Sequence, residues 1–224
     1  MNMSIIGALV RKDLSIMAPF VLAYWALGLG SIAMVVFGGE AMSVFATILF
    51  VTAMACTGIH AIMQTVVTER TEGVLAFMMS LPITIREYTL AKVIVNMLIF
   101  LSVWITLSAA SLIIFVGDDM PLGTLPFFCI ILVALLLAYT LMLATSLVTE
   151  GMGASITVMV AGNICTQAYI WWIADLHPIR SVLGGPDVIW NFASVGILAA
   201  QLSLIALLIV GAIWFQFHKR DFIR

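Results

Sequence analysis

The residues that could do chemistry are few, and their spacing matches none of the common catalytic patterns. The three histidines, His60, His177 and His218, are far apart, and no H-E-x-x-H pair occurs that would hold a catalytic zinc ion. Segment 153–156 reads Gly-Ala-Ser-Ile and lacks the glycine that follows the serine in intramembrane serine proteases. No G-x-x-x-x-G-K-[ST] loop is present to cradle nucleotide phosphates. We therefore expect no enzymatic activity, and no metal or cofactor on this chain.

Polar residues inside apolar segments are the remaining candidates. Thr57, His60 and Gln64 recur at intervals of three and four residues, which places them on one face of a helix. Because polar groups inside a membrane are costly and often functional, this face is predicted to line a translocation path. Three further candidates for that path lie in later apolar segments: Asn163, Gln167 and Gln201. The alternative is hydrogen bonding between helices, worth about 0.6 kcal/mol per bond on average.

The composition defines the elements that must position these residues. Hydrophobic residues make up 64% of the 224 positions and charged residues 9%, whereas a soluble domain has about 25% charged residues. One membrane-spanning helix needs about 20 apolar residues, and the apolar runs predict six spans, at 19–37, 41–67, 92–116, 127–148, 153–174 and 192–217. We predict an all-α polytopic protein with a single transmembrane domain over 1–224. A soluble enzyme, a nucleic-acid-binding protein and a second globular domain are excluded.

The basic residues predict the topology. Six spans place both termini on one side of the membrane, and eight of the nine basic residues fall on that side: Arg11, Lys12, Arg70, Arg86, Lys92, Lys219, Arg220 and Arg224. The other side holds Arg180, in an outer loop over 175–191. Because basic loops stay in the cytoplasm, we expect a multi-pass protein of the plasma (inner) membrane with both termini in the cytoplasm.

Two cytoplasmic segments are predicted to carry short helices. Segment 1–17 reads as an interfacial helix that bends into the first span at Pro19, since proline favours a helix start; the alternative is that the first span begins early. In segment 68–87, Thr71 could cap a helix that Pro82 ends. Its apolar face is formed by Val74, Phe77, Met78 and Leu81. Residues Thr84 to Glu87 form a capping box for the third span.

These segments carry a family resemblance. Residues 11–14 read Arg-Lys-Asp-Leu, residues 69–75 read E-R-T-E-G-V-L, and residues 80–92 include S-L-P-I, R-E-Y and Lys92. This order resembles the small membrane subunits of ABC-type-2 exporters, in which an "E-R-x-x-G-T-L … L-S-L-P-I-S-R-R-E … K" stretch links the second and third spans. The chain departs from that pattern at 84–86, where Thr-Ile-Arg has one basic residue instead of two, and in its brief outer loops.

The resemblance implies a permease subunit of an ATP-driven exporter. Two cytoplasmic ATP-binding subunits, holding ATP and Mg²⁺, would power it, and a second copy or a sister permease would complete the complex. The cargo would be amphipathic or hydrophobic: a peptide, an antibiotic or other drug, or a lipid. Residues implied in coupling to the ATPase are Glu69, Arg70, Glu72, Gly73, Leu75, Phe77, Met78, Leu81, Pro82 and Arg86. An ATP-independent secondary transporter is the alternative, and it would usually need ionisable groups near the midplane.

Small residues at intervals of four permit close approach of helices. They occur in the first and fifth spans, as Ala26, Gly30, Gly153, Thr157 and Ala161. In the resembled family these two spans commonly meet near the dimer interface, so the five residues are candidates for dimer packing. Packing within one subunit is the other interpretation.

Overall fold

The computed structural model describes residues 3–73, 83–117, 121–149 and 152–218. Its six long helices are α1 (Met3–Phe37), α2 (Glu40–Ile62), α3 (Ile85–Gly117), α4 (Leu125–Val148), α5 (Met152–Asp175) and α6 (Phe192–His218). All six segments are long and apolar enough to cross a membrane, and no strand occurs within the described ranges. The prediction of an all-α polytopic membrane protein is therefore confirmed.

The first helix is continuous where the sequence predicted a break. α1 runs through Pro19 without interruption, so the separate helix predicted over 1–17 is not a distinct element. Its first turns pack along α3, where Ile6 and Leu9 contact Tyr88 and Ala91. Because apolar packing on α2 and α3 continues across the proline through Met17 and Val21, the loss of one backbone hydrogen bond does not end the helix.

The second helix extends beyond its predicted end. After Ile62 it continues as a π-helical segment (Met63–Val67) and one last α-helical turn (Thr68–Thr71). Gly73 follows at φ +73°, a left-handed conformation that commonly terminates helices. Thr71 therefore closes a helix: its hydroxyl donates back to the carbonyl oxygens of Val67 (3.3 Å) and Thr68 (3.1 Å). The prediction that Thr71 starts a helix is wrong.

The helices form two groups joined through the centre of the bundle. α1 packs against α2 and α3, and α4 packs against α5 and α6. Between the groups, the Phe100 ring of α3 stacks on the Tyr139 ring of α4, with centroids 3.9 Å apart. Gly58 of α2 lies against the same ring, since a Cβ there would be 2.6 Å from it. A glycine at this position lets three helices meet closely.

The helices reach different heights at one end of the bundle. The base is the end of the bundle at which α1 begins, α2 leads towards α3, and α6 ends. The top is the opposite end. α1 has 35 residues and α3 has 33, so at 1.5 Å per residue they are about 52 and 50 Å long. The hydrocarbon core of a bilayer is about 30 Å thick. Both helices are therefore longer than an upright crossing of that core requires.

Candidate functional site

Four charged side chains from three helices meet at the base. Lys92 Nζ lies 2.6 Å from Asp13 Oδ2 and 2.7 Å from Glu69 Oε2. Lys12 Nζ lies 2.5 Å from Glu69 Oε1 and 3.1 Å from Asp13 Oδ1. Each lysine thus bridges both carboxylates, and the four groups form a closed ring of alternating sign. We call this set, Lys12, Asp13, Glu69 and Lys92, the four-charge cluster.

The cluster is withdrawn from solvent. The side chain of Lys92 is 0% exposed, that of Asp13 is 2% exposed and that of Glu69 is 8% exposed, while Lys12 lies at the rim. An isolated buried charge is strongly unfavourable, so each of these groups depends on its partners. The Tyr88 hydroxyl adds a further hydrogen bond by donating to Glu69 Oε2 at 3.1 Å.

The three helices bring the cluster together at one level. Lys12 and Asp13 come from α1, Glu69 from the last turn after α2, and Tyr88 and Lys92 from adjacent turns of one α3 face. Asp13 lies 24 residues before the end of α1, and Lys92 lies 25 residues before the end of α3. At 1.5 Å per residue these distances are about 36 and 38 Å. A hydrocarbon core about 30 Å thick that begins at the top of α1 and α3 would therefore end before it reaches the cluster.

The charges around Glu69 set its protonation. Burial raises the pKa of the Glu69 carboxyl, but the nearby Lys92 and Lys12 ammonium groups lower it more, so that it lies below its ordinary value. Glu69 is therefore ionised at neutral pH. The cluster then contains two positive and two negative groups.

A chain of hydrogen bonds leads from the cluster into the bundle. Asn96, one turn beyond Lys92, donates through Nδ2 to Thr65 Oγ1 (2.7 Å) and to the Lys92 carbonyl oxygen (2.9 Å). The Tyr139 hydroxyl donates to the Asn96 carbonyl oxygen at 2.7 Å. Thr65 belongs to the π-helical segment, so this segment is anchored directly to α3. The cluster at the base is thus connected to the aromatic contact at the bundle centre.

Part of the predicted coupling set lies at this site. Glu69 belongs to the cluster, Glu72 and Arg86 are exposed, and Gly73 forms the helix terminator. The Arg86 guanidinium lies 5.2 Å from the centre of the Phe217 ring, close enough for a cation–π contact between α3 and α6. The Arg70 side chain and residues Leu75, Phe77, Met78, Leu81 and Pro82 lie outside the described residues.

The predicted capping box is confirmed. The Thr84 backbone N–H donates to Glu87 Oε2 at 3.0 Å, and the Glu87 N–H donates to Thr84 Oγ1 at 3.3 Å. This reciprocal pair fixes the first turn of α3. The connection between α2 and α3 is therefore held at both sides, by Glu69 before it and by the capping box after it.

Three of the predicted path residues lie on α2 and its extension, and they do not share one surface. Thr57 is buried and its hydroxyl donates to the Ala53 carbonyl oxygen at 2.7 Å. His60 faces α1, with Nδ1 3.1 Å from the Tyr24 hydroxyl oxygen. Gln64 is exposed and lies within the π-helical segment, whose wider turn changes the rotation per residue. The α-helical spacing used in the prediction does not hold there.

The other three path candidates lie on the second helix group. Asn163 donates to the Met159 carbonyl oxygen at 2.9 Å, and Gln167 is exposed. Gln201 is 3% exposed, and its Nε2 donates to the Tyr169 hydroxyl oxygen at 2.9 Å. These contacts involve α4, α5 and α6, whereas His60 contacts α1. The six residues are not brought together into one path within the described chain.

The small residues predicted to pack helices are all on the outer surface. Those of α1 are Ala26 and Gly30, and those of α5 are Gly153, Thr157 and Ala161; each is exposed. α1 packs mainly on α2 and α3, while α5 packs mainly on α4. Packing within one subunit therefore does not use these residues.

Sequence reasoning missed Lys12, Asp13, Lys92, Tyr88 and Tyr139 as site residues. A signal for Asp13 exists, because it continues the buried face of Ile6 and Leu9 towards Met17. A carboxylate on an apolar helix face indicates a buried cationic partner. The sequence contains no comparable signal that would identify Lys92 as that partner.

Comparisons with known proteins do not supply an identity. The chain matches no protein-family model, no curated protein and no solved structure. Within the described residues, no group of three or more histidine, cysteine or acidic side chains could hold a metal ion. Any functional proposal therefore rests on the sequence motif and on the geometry at the base.

Proposed function

We propose that this chain is the membrane-spanning permease subunit of an ATP-driven ABC exporter. In this proposal the base faces the cytoplasm, and two separate ATP-binding subunits, with ATP and Mg²⁺, dock against the connection between α2 and α3. A second permease, identical or related, completes the complex through the exposed small residues of α1 and α5. The cargo is an amphipathic or hydrophobic molecule moved outward.

The observation that carries the proposal is the closure of the four-charge cluster at the root of this connection. Lys12 and Glu69 are 57 residues apart, and Asp13 and Lys92 are 79 apart, yet all four belong to the motif segments of the resemblance and meet in one ring. Because Glu69 is tied to both α1 and α3, a push on the connection would reach three helices together. This arrangement is expected of a permease whose helices are moved by separate ATP-binding subunits.

The burial of the cluster supports the same interpretation. A surface ion pair contributes little and breaks easily, but removing one member of a buried pair costs about 3–5 kcal/mol. Because the buried cluster resists separation, it can transmit a displacement of the connection to α1 and α3 without breaking its ion pairs. The Thr84–Glu87 capping box gives the other side of the connection a defined start.

The proposal is tested by isolating the chain in a mild detergent from its native membranes. We expect a polypeptide with a Walker A sequence to co-purify, and the reconstituted complex to hydrolyse ATP faster when cargo is present. Phe77→Asp places a charge on the apolar face predicted for segment 74–81 and should abolish this stimulation. Ala76→Asp, on the opposite face of the same helical pattern, is the matched control and should retain it.

The competing function makes a different prediction. A secondary transporter would move cargo in vesicles that contain this chain alone. An ion gradient would drive that transport, and added ATP would not change its rate. Transport of that kind, or Phe77→Asp and Ala76→Asp variants that behave alike, would refute the exporter proposal.

A further inference from the structure

A lateral cleft of about 450 Å³ lies between α5 and α6, with α4 as its floor. Its volume falls in the range of small-molecule sites in proteins. Ala138 and Leu141 of α4, Gly162 of α5 and Leu204 of α6 contribute to a largely apolar lining. Leu141 and Leu204 are 41% and 46% exposed, so the cleft opens sideways, towards the lipid.

The only strongly polar feature described in this cleft is the Gln201–Tyr169 pair. Gln201 Nε2 donates to the Tyr169 hydroxyl oxygen at 2.9 Å and lies 3.4 Å from the Ile130 carbonyl oxygen. The amide thus uses the hydroxyl as an acceptor. In this orientation the buried Gln201 Oε1 has no hydrogen-bond partner among the described residues, and the hydroxyl proton of Tyr169 is available to a molecule in the cleft.

The position of this pair along the membrane normal restricts what can bind. Tyr169 lies six residues before the end of α5, about 9 Å at 1.5 Å per residue, and its ring centre is 6.2 Å from that of Trp172. Trp171 and Trp172 are both exposed, as in the aromatic belt at a membrane interface. The pair therefore lies at the interface near the top.

The apolar part of the cleft continues from the interface towards the middle of the membrane. Gly162 lies seven residues from Tyr169 in the direction of the base, about 10 Å at 1.5 Å per residue, and it lines the same cleft. A hydrogen-bond donor at the interface, followed by an apolar groove, is complementary to the ester group and the acyl chain of a lipid.

We propose that this cleft is a binding site for an acyl chain of a membrane glycerolipid in the leaflet at the top. The ester carbonyl oxygen accepts a hydrogen bond from the Tyr169 hydroxyl, and the chain lies along α4 between α5 and α6. Gln201 is a positioning residue, because its amide orients the hydroxyl towards the cleft. This site goes beyond the exporter function and does not depend on an ATPase.

The test uses the full chain in phosphatidylethanolamine and phosphatidylglycerol vesicles that contain a trace of phospholipid with a photoactivatable group on one acyl chain. After illumination, mass spectrometry locates the labelled peptides. We expect labelling to concentrate around 162–169 and 200–204. An ether-linked probe lacks the carbonyl acceptor and should label these peptides roughly threefold to tenfold less, the range for one hydrogen bond.

Two variants with matched controls separate the groove from the hydrogen bond. Ala200→Phe fills the cleft and should abolish the local labelling, whereas Ala199→Phe, on the neighbouring exposed position, should not. Tyr169→Phe should remove the preference for the ester probe, whereas Tyr24→Phe on α1 should keep it. Insertion of every variant is verified by protease protection of the reconstituted chain. Labelling spread evenly over exposed helix faces, or an ester preference that survives Tyr169→Phe, would overturn the proposal.

Discussion

Lys92 and Asp13, which are 79 residues apart in the chain, form a 2.6 Å ion pair in which both side chains are almost fully buried. This pair joins α1 to α3 at the base. Because both groups are buried, removing either one leaves the other with a single opposite charge, Glu69 for Lys92 or Lys12 for Asp13, at a large cost in stability. The pair thus makes the first and third helices depend on each other.

Lys92→Met is expected to destabilise the protein by about 3–5 kcal/mol, since it leaves two buried carboxylates with one lysine. The free energy of unfolding can be measured by denaturant titration of the purified chain in mixed micelles. Arg86→Met is the control: it removes an exposed cation of the same helix and its cation–π contact with Phe217, and it should cost about 1 kcal/mol or less.

The double variant Asp13→Leu/Lys92→Met provides a second comparison. It removes both partners and leaves Lys12 paired with Glu69, so it should recover most of the stability lost in Lys92→Met. A double variant as unstable as the sum of the two single variants would show that the ion pair does not couple the helices.

The stability should depend on the protonation of Glu69. Its pKa is lower in the folded chain than in the unfolded chain, so its contribution is full above the unfolded value of about 4.3. That contribution is lost as the pH falls through the lower, folded value. Unfolding measured from pH 7 to pH 3 should show a gap between wild type and Glu69→Gln that narrows at acidic pH. Glu72→Gln, at an exposed position, should follow the wild type at every pH.

Gly73→Ala should destabilise the protein by about 1 kcal/mol, because alanine is strained at φ +73°. Steric clash does not contribute to this cost, since a Cβ at Gly73 meets nothing within 4 Å. Gly7→Ala in α1 is equally open and has no positive φ, so it should be neutral or slightly stabilising. Thermal unfolding of the two variants would compare them, and equal effects would exclude a helix-terminating role for Gly73.

Gly58→Ala should cost about 1–3 kcal/mol through overpacking. The added Cβ would lie 2.6 Å from the Tyr139 ring, which cannot retreat because it is stacked on Phe100. Gly196→Ala in α6, with open space around it, is the matched control. If both variants unfold at the wild-type temperature, the three-helix contact at the bundle centre is less rigid than its geometry indicates.

The spans could be predicted from the sequence because each is a long apolar run, a property local to the chain. The capping box at Thr84 was predictable for the same reason, since its partners are three residues apart. The break at Pro19 was not correct, because the packing of Ile6 and Leu9 on α3 outweighs the preference of proline for a helix start. Local patterns thus predicted local structure well, and tertiary contacts decided the exceptions.

The four-charge cluster could not be predicted in the same way. All four residues were visible in the motif segments, but nothing local shows that they meet in one ring. The π-helical segment was also unpredictable, and it changes which face of the chain carries Gln64 and Glu69. The regular α-helical spacing from which the polar stripe was inferred therefore does not hold where the helix is irregular.

The composition of the four-charge cluster has an electrical consequence. Moving one elementary charge through a membrane potential of 100 mV involves about 2.3 kcal/mol of work. Two lysines and two carboxylates moving together carry no net charge, so the field exerts no net force on them. Movement of the cluster together with α1, α2 and α3 therefore adds no voltage-dependent work of its own, whatever drives it.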